Sequence, residues 1–436
     1  MIVDGAEKIK RLLAGAYVDP DTGNRVGVAT KSLVVEPSLA GFEGELVAAL
    51  GFGKRIAVIS DETTHRVLGR RVEKSIEASQ AVVQSVVFPH PPHPDDEAVE
   101  RVRKETAGAD ALVAVGSGTI NDICKYASAL ESKPYAVFAT APSMNGYTSV
   151  NAAITQHGHK LSLPAQAPTG VFFDLKVLSQ APKRLIRAGL GDSLCRTTAQ
   201  ADWLLAHLLH DKPFCELPFE LLEDDEAPLF DNAAALMAGD LEVMERLVRT
   251  LVLAGFGTAI IGHSQPASQG EHLVSHYIDM FVGDSRPLVY HGEQVGVTTL
   301  SMARLQEAML ETTPLVVPDT ATEADFRRRY GDALGVSCWA EFQGKRVDAA
   351  RADAMNQRLA ERWDAMREQI AGASLSSSYL TGVLKAAGAG LTPRDIHLSR
   401  DFYDTALLRS REIRNRYTFI DLAANSRQLE RLIPLI

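Results

Sequence analysis

The sequence has few cysteines and no excess of positive charge. Its 4 cysteines, at positions 124, 195, 215 and 338, form no CxxC pair, which indicates reduced, mostly buried thiols rather than a disulfide framework. The formal net charge of -10 argues against nucleic acid or an anionic membrane as partner, because both need clustered lysine and arginine. Residues 1–15 contain no continuous apolar run, so we expect no signal peptide or membrane span there and predict a cytoplasmic protein.

The chain is long enough for more than one domain. It has 436 residues, of which 46% are hydrophobic and 23% charged, an ordinary composition for a globular protein. A domain typically takes roughly 100–200 residues, so two domains are expected. We predict an α/β domain over residues 1–178 and an all-α domain over residues 179–436.

The first 175 residues alternate short β-branched runs with amphipathic segments. Apolar residues recur at helical spacing over 62–79, 95–107 and 119–130. Strands that alternate with helices predict crossover units and a largely parallel, Rossmann-like sheet. The predicted strands are residues 33–36, 56–60, 82–88, 111–115, 135–140 and 171–174.

After about residue 180 the pattern favours helix. An acidic, breaker-rich stretch at 211–240 predicts a loop with one short helix, and 314–319 predicts a surface connection. His90 and His93 have HxxH spacing, but the prolines between them favour an exposed turn over a metal site. The predicted helices are residues 182–209, 241–260, 268–281, 294–311, 349–372 and 376–387.

A nucleotide signal follows the predicted strand 111–115, which runs directly into GSGTIND at 116–122. A tight glycine turn into a helix leaves backbone N–H groups free at the helix N-terminus, where a pyrophosphate can lie. Asn121 replaces the third glycine of GxGxxG, so the motif alone is also compatible with a plain turn. Asp61, at the end of strand 56–60, can accept hydrogen bonds from an adenosine ribose or cap the following helix.

Four polar side chains interrupt apolar helical surroundings: Asp192, His272, His276 and His291. Histidines four residues apart lie on one face of a helix, so His272 and His276 can point into the same cavity. One aspartate with two or three histidines suits Zn²⁺ or another divalent transition metal. Since surface HxxxH pairs are common, spacing alone leaves the metal site open.

Together these segments resemble one family, the glycerol-1-phosphate dehydrogenases of the iron-containing alcohol dehydrogenase and dehydroquinate synthase-like superfamily. The resemblance extends from about residue 30 to about residue 425, and IRNRYTFIDLA at 413–423 is similar to the ending of bacterial members. The motifs, in family order, are DET at 61–63, GSGTIND at 116–122, TAPSMNGYTS at 140–149, GLGDSL at 189–194, GEHLVSH at 270–276 and HGEQVG at 291–296.

The resemblance implies roles for particular residues. Asp192, His272 and His291 match the metal ligands, for which Zn²⁺ is expected first and Ni²⁺ or Fe²⁺ are alternatives. Lys160 resembles a lysine that meets the cofactor or substrate phosphate, although a solvated loop lysine is an equal alternative. The residues matching the dinucleotide site are Asp61, Gly116, Ser117, Gly118, Thr119, Ile120, Thr140, Ser143 and Ser149.

The catalytic residues implied by the resemblance are Asp192, His276, which matches a substrate-contacting position, and Asn145. The family usually has aspartate in place of Asn145; an amide can hydrogen-bond a substrate hydroxyl but cannot act as a base. This substitution puts the substrate in doubt more than the reaction class.

The sequence therefore predicts a metal-dependent oxidoreductase that interconverts dihydroxyacetone phosphate and sn-glycerol 1-phosphate with NAD(H), with NADP(H) as an alternative. Residues 1–178 are expected to bind the dinucleotide and residues 179–436 the metal and substrate. The resemblance also implies a homodimer and a place in phospholipid metabolism; 323–372 is either a lineage-specific helix or a dimer surface. The alternatives are a dehydrogenase of glycerol or another polyol phosphate, a dehydroquinate synthase-like lyase, and a nucleotide-binding protein with a decayed site.

Overall fold

The computed structural model describes residues 5–89, 92–156, 159–283 and 286–436, and only the backbone of residues 159 and 160. His90 therefore lies outside the described residues, and the turn predicted there stays a prediction. Within the described part, no helix combines the length and apolar character needed to cross a bilayer.

The chain forms two compact units. The first comprises Met1–Ser193 and Glu216–His263, and the second Leu194–Cys215 and Ser264–Ile436. This division differs from the one suggested at residue 178, because the long helix Leu241–Ile261 packs against the helix Leu175–Ser179 and the turn Asn145–Tyr147 of the first unit.

The first unit contains a six-stranded, all-parallel sheet with the strand order β3-β10-β7-β6-β4-β5. The six predicted strands are all present within one residue of their expected limits. The two antiparallel hairpins, β1-β2 and β8-β9, were not predicted. The strands are β1 Tyr17–Val18, β2 Arg25–Val26, β3 Ser32–Glu36, β4 Arg55–Asp61, β5 Val82–Phe88, β6 Ala111–Gly116, β7 Tyr135–Ala139, β8 Asn151–Gln156, β9 His159–Pro164 and β10 Gly170–Asp174.

The central strands β4, β6, β7 and β10 are buried along almost their whole length and are apolar, as expected for a parallel sheet covered by helices, whereas the edge strands β3 and β5 are partly exposed. Phe138 of β7 and Phe172 of β10 lie side by side in the core, with ring centroids 4.7 Å apart. The helices are α1 Gly5–Leu13, α2 Glu43–Ala48, α3 Glu62–Thr64, α4 Arg70–Ala78, α5 Asp96–Glu105, α6 Gly118–Glu131, α7 Leu175–Ser179, the first part of α8 Lys183–His210, α9 Leu217–Glu220, α10 Glu223–Asp231, α11 Ala233–Ala238 and α12 Leu241–Ile261.

The acidic stretch 211–240 corrects one expectation, since it contains the three short helices α9, α10 and α11 rather than one. Pro218 stands in the first turn of α9, where a missing N–H costs nothing. Leu217, Phe219 and Leu229 are buried in the first unit. The breaker residues therefore do not prevent helices: Pro218 lies in the first turn of α9 and Pro228 lies inside α10.

The second unit is helical throughout its described residues, as the sequence predicts. Helix α17 buries a stripe that includes Met355, Leu359 and Trp363, so its charged face is the solvated side. The helices are the second part of α8, α13 Gly270–Phe281, α14 His291–Leu310, α15 Glu323–Tyr330, α16 Asp332–Gln343, α17 Ala349–Ala373, α18 Ser377–Ala386, α19 Arg400–Arg409, α20 Phe419–Asn425 and α21 Leu429–Leu432.

Candidate functional site

Three neighbouring strands of the first unit end at the predicted dinucleotide residues. Strands β4, β6 and β7 are adjacent and parallel, so Asp61, Gly116 and Thr140 follow one another along the carboxyl edge of the sheet. The backbone N–H of Thr140 donates to the carbonyl of Gly116 at 3.1 Å. In open parallel sheets this edge is where ligands bind.

The turn between β6 and α6 is tight enough to require glycine. A Cβ added at Gly116 would lie 2.6 Å from Cβ of Ile120, and one added at Gly118 would lie 3.0 Å from Sδ of Met144. Ser117 is the N-cap residue, and α6 begins at Gly118. The first-turn N–H groups of α6, including that of Thr119, have no partner within their own helix and are of the kind that binds phosphate.

Asp61 caps the helix that follows it. Its Oδ1 accepts hydrogen bonds from the backbone N–H groups of Thr63 at 2.8 Å and Thr64 at 2.9 Å, while the Thr64 hydroxyl accepts from the N–H of Asp61. Asp61 is therefore the N-cap residue of this helix. The ribose interpretation stays a prediction, and the two are compatible because one carboxylate has several acceptor sites.

Glycines let two helices approach the loop at 140–149. A Cβ at Gly189 of α8 would lie 1.8 Å from the Pro142 carbonyl oxygen, and one at Gly255 of α12 would lie 2.6 Å from the Asn145 carbonyl oxygen. The Thr148 hydroxyl also donates to a backbone carbonyl of α12 at 2.9 Å. The loop is therefore held between two helices of its own unit.

This packing brings two of the predicted site residues together. The backbone N–H of Asn145 donates to Oδ2 of Asp192 at 2.8 Å, and the Asp192 side chain is buried. The residue expected to contact substrate and a residue expected to bind metal are joined within the first unit.

Lys125 is a residue that the sequence analysis missed. It is fully buried on α6, and its ammonium donates to the carbonyl of Gly146 at 2.5 Å and to the Ser149 hydroxyl and the Asn151 carbonyl, both at 3.1 Å. Burial lowers the pKa of Lys125 to about 8, although Asp122 partly opposes this. The signal was available in the sequence: a lysine on the apolar face of the helix after the glycine turn. Lys125 fixes the end of the 140–149 loop.

Two other predicted residues lie nearby in the first unit. Ser143 is half-buried in the same loop and hydrogen-bonds the Tyr147 side chain. Lys160 lies on β9, in register with Thr155 of β8; its side chain is outside the described part. Its phosphate-binding role stays a prediction.

The three predicted histidines of the second unit form one cluster. His272 and His276 lie on α13, and His291 is the first residue of α14. The ring centroids are 5.1 Å apart for His272 and His291, 6.0 Å for His272 and His276, and 6.2 Å for His276 and His291. The closest approach is between Nε2 of His272 and Nε2 of His291, at 3.2 Å.

Glu271, which the sequence analysis also missed, orients this cluster. Its fully buried carboxylate accepts from Nδ1 of His272 at 2.9 Å, from the backbone N–H of Gln269 at 2.7 Å and from the Thr198 hydroxyl at 3.1 Å. Burial alone would raise the pKa of Glu271, but the hydrogen bond and charge of His272, with the Gln269 N–H, lower it below its ordinary value. A carboxylate can only accept here, so Nδ1 of His272 carries a proton, and in the neutral form of the ring Nε2 presents its lone pair.

The histidine pair suits a divalent cation. Two nitrogens that bind one tetrahedral ion at about 2.1 Å are ~3.4 Å apart, close to the separation observed for His272 and His291. A histidine that donates its other N–H to a carboxylate is the usual arrangement at such ions. Asp192, the third predicted ligand, belongs to the first unit.

Comparisons with known proteins agree with the motifs. Residues 34–182 match the model of the iron-containing alcohol dehydrogenases. The chain is 30% identical over 346 residues to the glycerol-1-phosphate dehydrogenase (NAD(P)+) of Halalkalibacterium halodurans, covering 72% of this chain and 84% of the relative. It is 34% identical over 256 residues to the protein of that name from Pyrococcus furiosus, covering 59% and 72% respectively.

A solved structure shares the fold. A probable glycerol dehydrogenase from Sinorhizobium meliloti aligns with a TM-score of 0.60 at 16% identity, covering 93% of this chain and 98% of that one. This likeness concerns the fold alone, and it confirms the predicted architecture of a parallel α/β region followed by a helical region.

Proposed function

This chain belongs to the glycerol-1-phosphate dehydrogenase family, and on that premise we propose that it interconverts dihydroxyacetone phosphate and sn-glycerol 1-phosphate with NAD(H). The observation that carries the proposal is the hydrogen bond from the Asn145 N–H to the Asp192 carboxylate. It joins the loop expected to contact substrate to a helix that carries an expected metal ligand, next to the glycine turn of the sheet edge.

The first unit would bind the dinucleotide. The N–H groups at the start of α6, after Gly116 and Gly118, would hold the pyrophosphate, and Asp61 would accept from the adenosine ribose while repelling a 2′-phosphate. The dinucleotide, when bound, supplies the hydride. Because Thr140 lies on the neighbouring strand end, its side chain would limit where the nicotinamide end can lie.

Asp192, His272 and His291 would hold one divalent cation, with Zn²⁺ proposed first. Such an ion supplies Lewis-acid polarisation of the substrate carbonyl when bound. The role of Glu271 would be to keep the His272 ring in the tautomer that leaves Nε2 unprotonated.

His276 and Asn145 would act on the substrate directly. His276 is half-buried beside the other two histidines, and we assign it the exchange of a proton with the substrate oxygen. Asn145 would accept a hydrogen bond from a substrate hydroxyl through its amide oxygen.

The deciding experiment is NADH oxidation by the Zn²⁺-reconstituted protein with dihydroxyacetone phosphate, followed by chiral analysis of the glycerol phosphate formed. The proposal requires stoichiometric NADH consumption and the sn-glycerol 1-phosphate enantiomer. Turnover without net NADH consumption would instead indicate a lyase.

Asn145 favours one second candidate, a dehydrogenase of glycerol or of another polyol phosphate, because it occupies the position at which the family usually has aspartate. Parallel assays with glycerol and longer polyol phosphates separate the two. A higher kcat/KM on one of these than on sn-glycerol 1-phosphate would establish the second candidate.

A further inference from the structure

The second unit contains a polar pocket of about 370 Å³, and none of its lining residues has a role in the proposed function. It lies between the end of α8, the turn before α13, the segment after α16 and the segment before α20. Its described lining includes four lysine or arginine side chains and no aspartate or glutamate. The residues that matter here are His210, Lys212, Lys345, Arg351, Arg416 and Tyr417.

Arg416 is a largely buried cation whose partners are neutral. Its guanidinium donates to the carbonyl and hydroxyl of Ser268 and, at 2.7 Å, to the hydroxyl of Ser264. It forms no ion pair with any carboxylate in the described part of the chain. Burial and the neighbouring charge of Arg414 lower the pKa of Arg416 to about 10, although the charges of Glu271 and Glu341 partly oppose this. A buried charge of this kind is costly unless a counter-charge approaches it.

Two polar groups in the same lining have no hydrogen-bond partner in the described part of the chain. The Tyr417 side chain is only 6% exposed, and neither its hydroxyl nor Nε2 of His210 has a hydrogen-bond partner among the described residues. The two rings meet edge to face, 4.4 Å apart. Burial lowers the pKa of His210 to about 4, so its imidazole is neutral at pH 7. Buried polar groups in proteins are normally hydrogen-bonded. Two neighbouring groups without a hydrogen-bond partner among the described residues therefore indicate a bound ligand.

Of the other three cationic side chains in the lining, one is paired with a carboxylate and two are exposed. Lys345 is buried against Asp421, with 2.9 Å between its ammonium and the carboxylate, so its charge is already balanced. Lys212 and Arg351 are exposed at the rim. A Cβ at Gly344 would lie 2.2 Å from the Asn415 side-chain nitrogen, so the Asn415 side chain packs directly on the backbone of the pocket wall.

We propose that this pocket binds a compact oxyanion of the phosphate class. Arg416 supplies the buried positive charge, the Tyr417 hydroxyl and the neutral His210 imidazole hydrogen-bond the anion oxygens, and Lys212 and Arg351 attract the anion at the entrance. Hydrogen bonds to charged oxygens are the strong ones in proteins. The source of the anion is either the phosphate group of the substrate or free phosphate, and the proposal does not depend on the proposed reaction.

Isothermal titration calorimetry tests the site. The full-length protein is titrated with inorganic phosphate at a constant ionic strength set by chloride. The wild type should bind phosphate, and Tyr417→Phe should weaken binding by roughly tenfold, as expected for losing a hydrogen bond to a charged group. Lys212→Gln should weaken phosphate binding less than Tyr417→Phe does. Lys385→Gln removes the same charge from an exposed position on α18 outside the pocket and should leave it unchanged.

Two results would overturn the proposal: a wild-type protein that does not bind phosphate, or phosphate binding by Tyr417→Phe that equals the wild type while both proteins have the same Tm. Phosphate held only at the start of α6 would give the second result. The titration needs no turnover, so its outcome is separate from that of the activity assay.

A competition experiment with dihydroxyacetone phosphate shows whether the pocket binds the substrate phosphate or free phosphate. If dihydroxyacetone phosphate displaces inorganic phosphate and Tyr417→Phe raises the KM for that substrate by the same factor, the pocket takes the substrate phosphate. If both anions bind together, the pocket takes free phosphate. Either result agrees with an oxyanion site.

Discussion

The backbone N–H of Asn145 donates a 2.8 Å hydrogen bond to the Asp192 carboxylate. Because the donor is a backbone group, this contact does not depend on the side chain at position 145. A substitution there changes what the loop offers to a substrate while leaving Asp192 held in place. A substitution at position 145 therefore tests the role of this side chain toward the substrate without disturbing Asp192.

Asn145→Asp should leave kcat/KM for dihydroxyacetone phosphate within roughly tenfold of the native value, a difference of about 1.4 kcal/mol. The amide oxygen and a carboxylate oxygen accept the same hydrogen bond from a substrate hydroxyl. Steady-state kinetics of both proteins measure this. Undetectable native turnover that the aspartate restores would contradict the prediction and indicate a different natural substrate.

Asp61→Ser should relax the preference for NADH over NADPH, because the substitution removes the negative charge that would repel a 2′-phosphate. Serine is as good an N-cap residue as aspartate, so stability should change little. The ratio of kcat/KM for the two coenzymes measures the effect. Asp95→Ser, at the N-cap of α5, is the matched control and should leave that ratio unchanged; a native protein that already prefers NADPH would show the assignment of Asp61 to be wrong.

His272→Ala and His291→Ala should each lose the bound metal, whereas His276→Ala should keep it and lose turnover. The reason is that the two Nε2 atoms closest to each other belong to His272 and His291. Elemental analysis of the purified proteins measures the bound metal, and the activity assay measures turnover. A metal-free His276→Ala protein would make His276 a ligand and remove its proton-transfer role.

Glu271→Gln should weaken metal binding by roughly 10- to 100-fold, the usual effect of losing a carboxylate behind a metal-binding histidine. The amide keeps the shape of the side chain but not the charge that fixes Nδ1–H of His272. Competition with a chelator measures the affinity. Glu368→Gln makes the same change at an exposed position of α17 and should have no effect; equal affinities for wild type and Glu271→Gln would reduce Glu271 to a packing residue.

Gly189→Ala should destabilise the protein by about 2 kcal/mol or more, since the new methyl group meets the Pro142 carbonyl oxygen and forces helix and loop apart. Gly382→Ala is the control, because nothing lies within 4 Å of a Cβ at that position. Alanine in the middle of α18 should stabilise the protein slightly. Chemical denaturation of the three proteins measures both changes, and a Gly189→Ala protein as stable as the wild type would contradict the described packing.

The sequence predicted the sheet well because its central strands are buried on both faces. Runs such as 56–60 and 111–115 are continuously apolar, and glycines end the strand at the nucleotide turn. The hairpin β8-β9 was missed because its strands are partly polar and lack a short turn signal. The expected cytoplasmic homodimer stays a prediction.

Motifs in the sequence marked individual residues of the candidate site, as with His272 and His291, whose metal-binding role stays a prediction. Glu271 and Lys125 were missed because their importance comes from what surrounds them: a histidine ring in one case and three oxygens of a distant loop in the other. The oxyanion pocket gave no local signal, since its residues come from four separate segments. Such groupings exist only after folding.

The position of β10 has a consequence for synthesis on the ribosome. Among the described residues, the first strand of the large sheet, β3, pairs only with β10, and β10 also pairs with β7. Residues 32–36 leave the ribosome long before residues 170–174, and pairing between such distant segments is slow because it closes a long loop. Strand β3 must therefore remain an unpaired, β-branched segment until strand β10 has been synthesised. A chain stalled before residue 170 would expose both β3 and one edge of the sheet, which is the species that chaperones should capture.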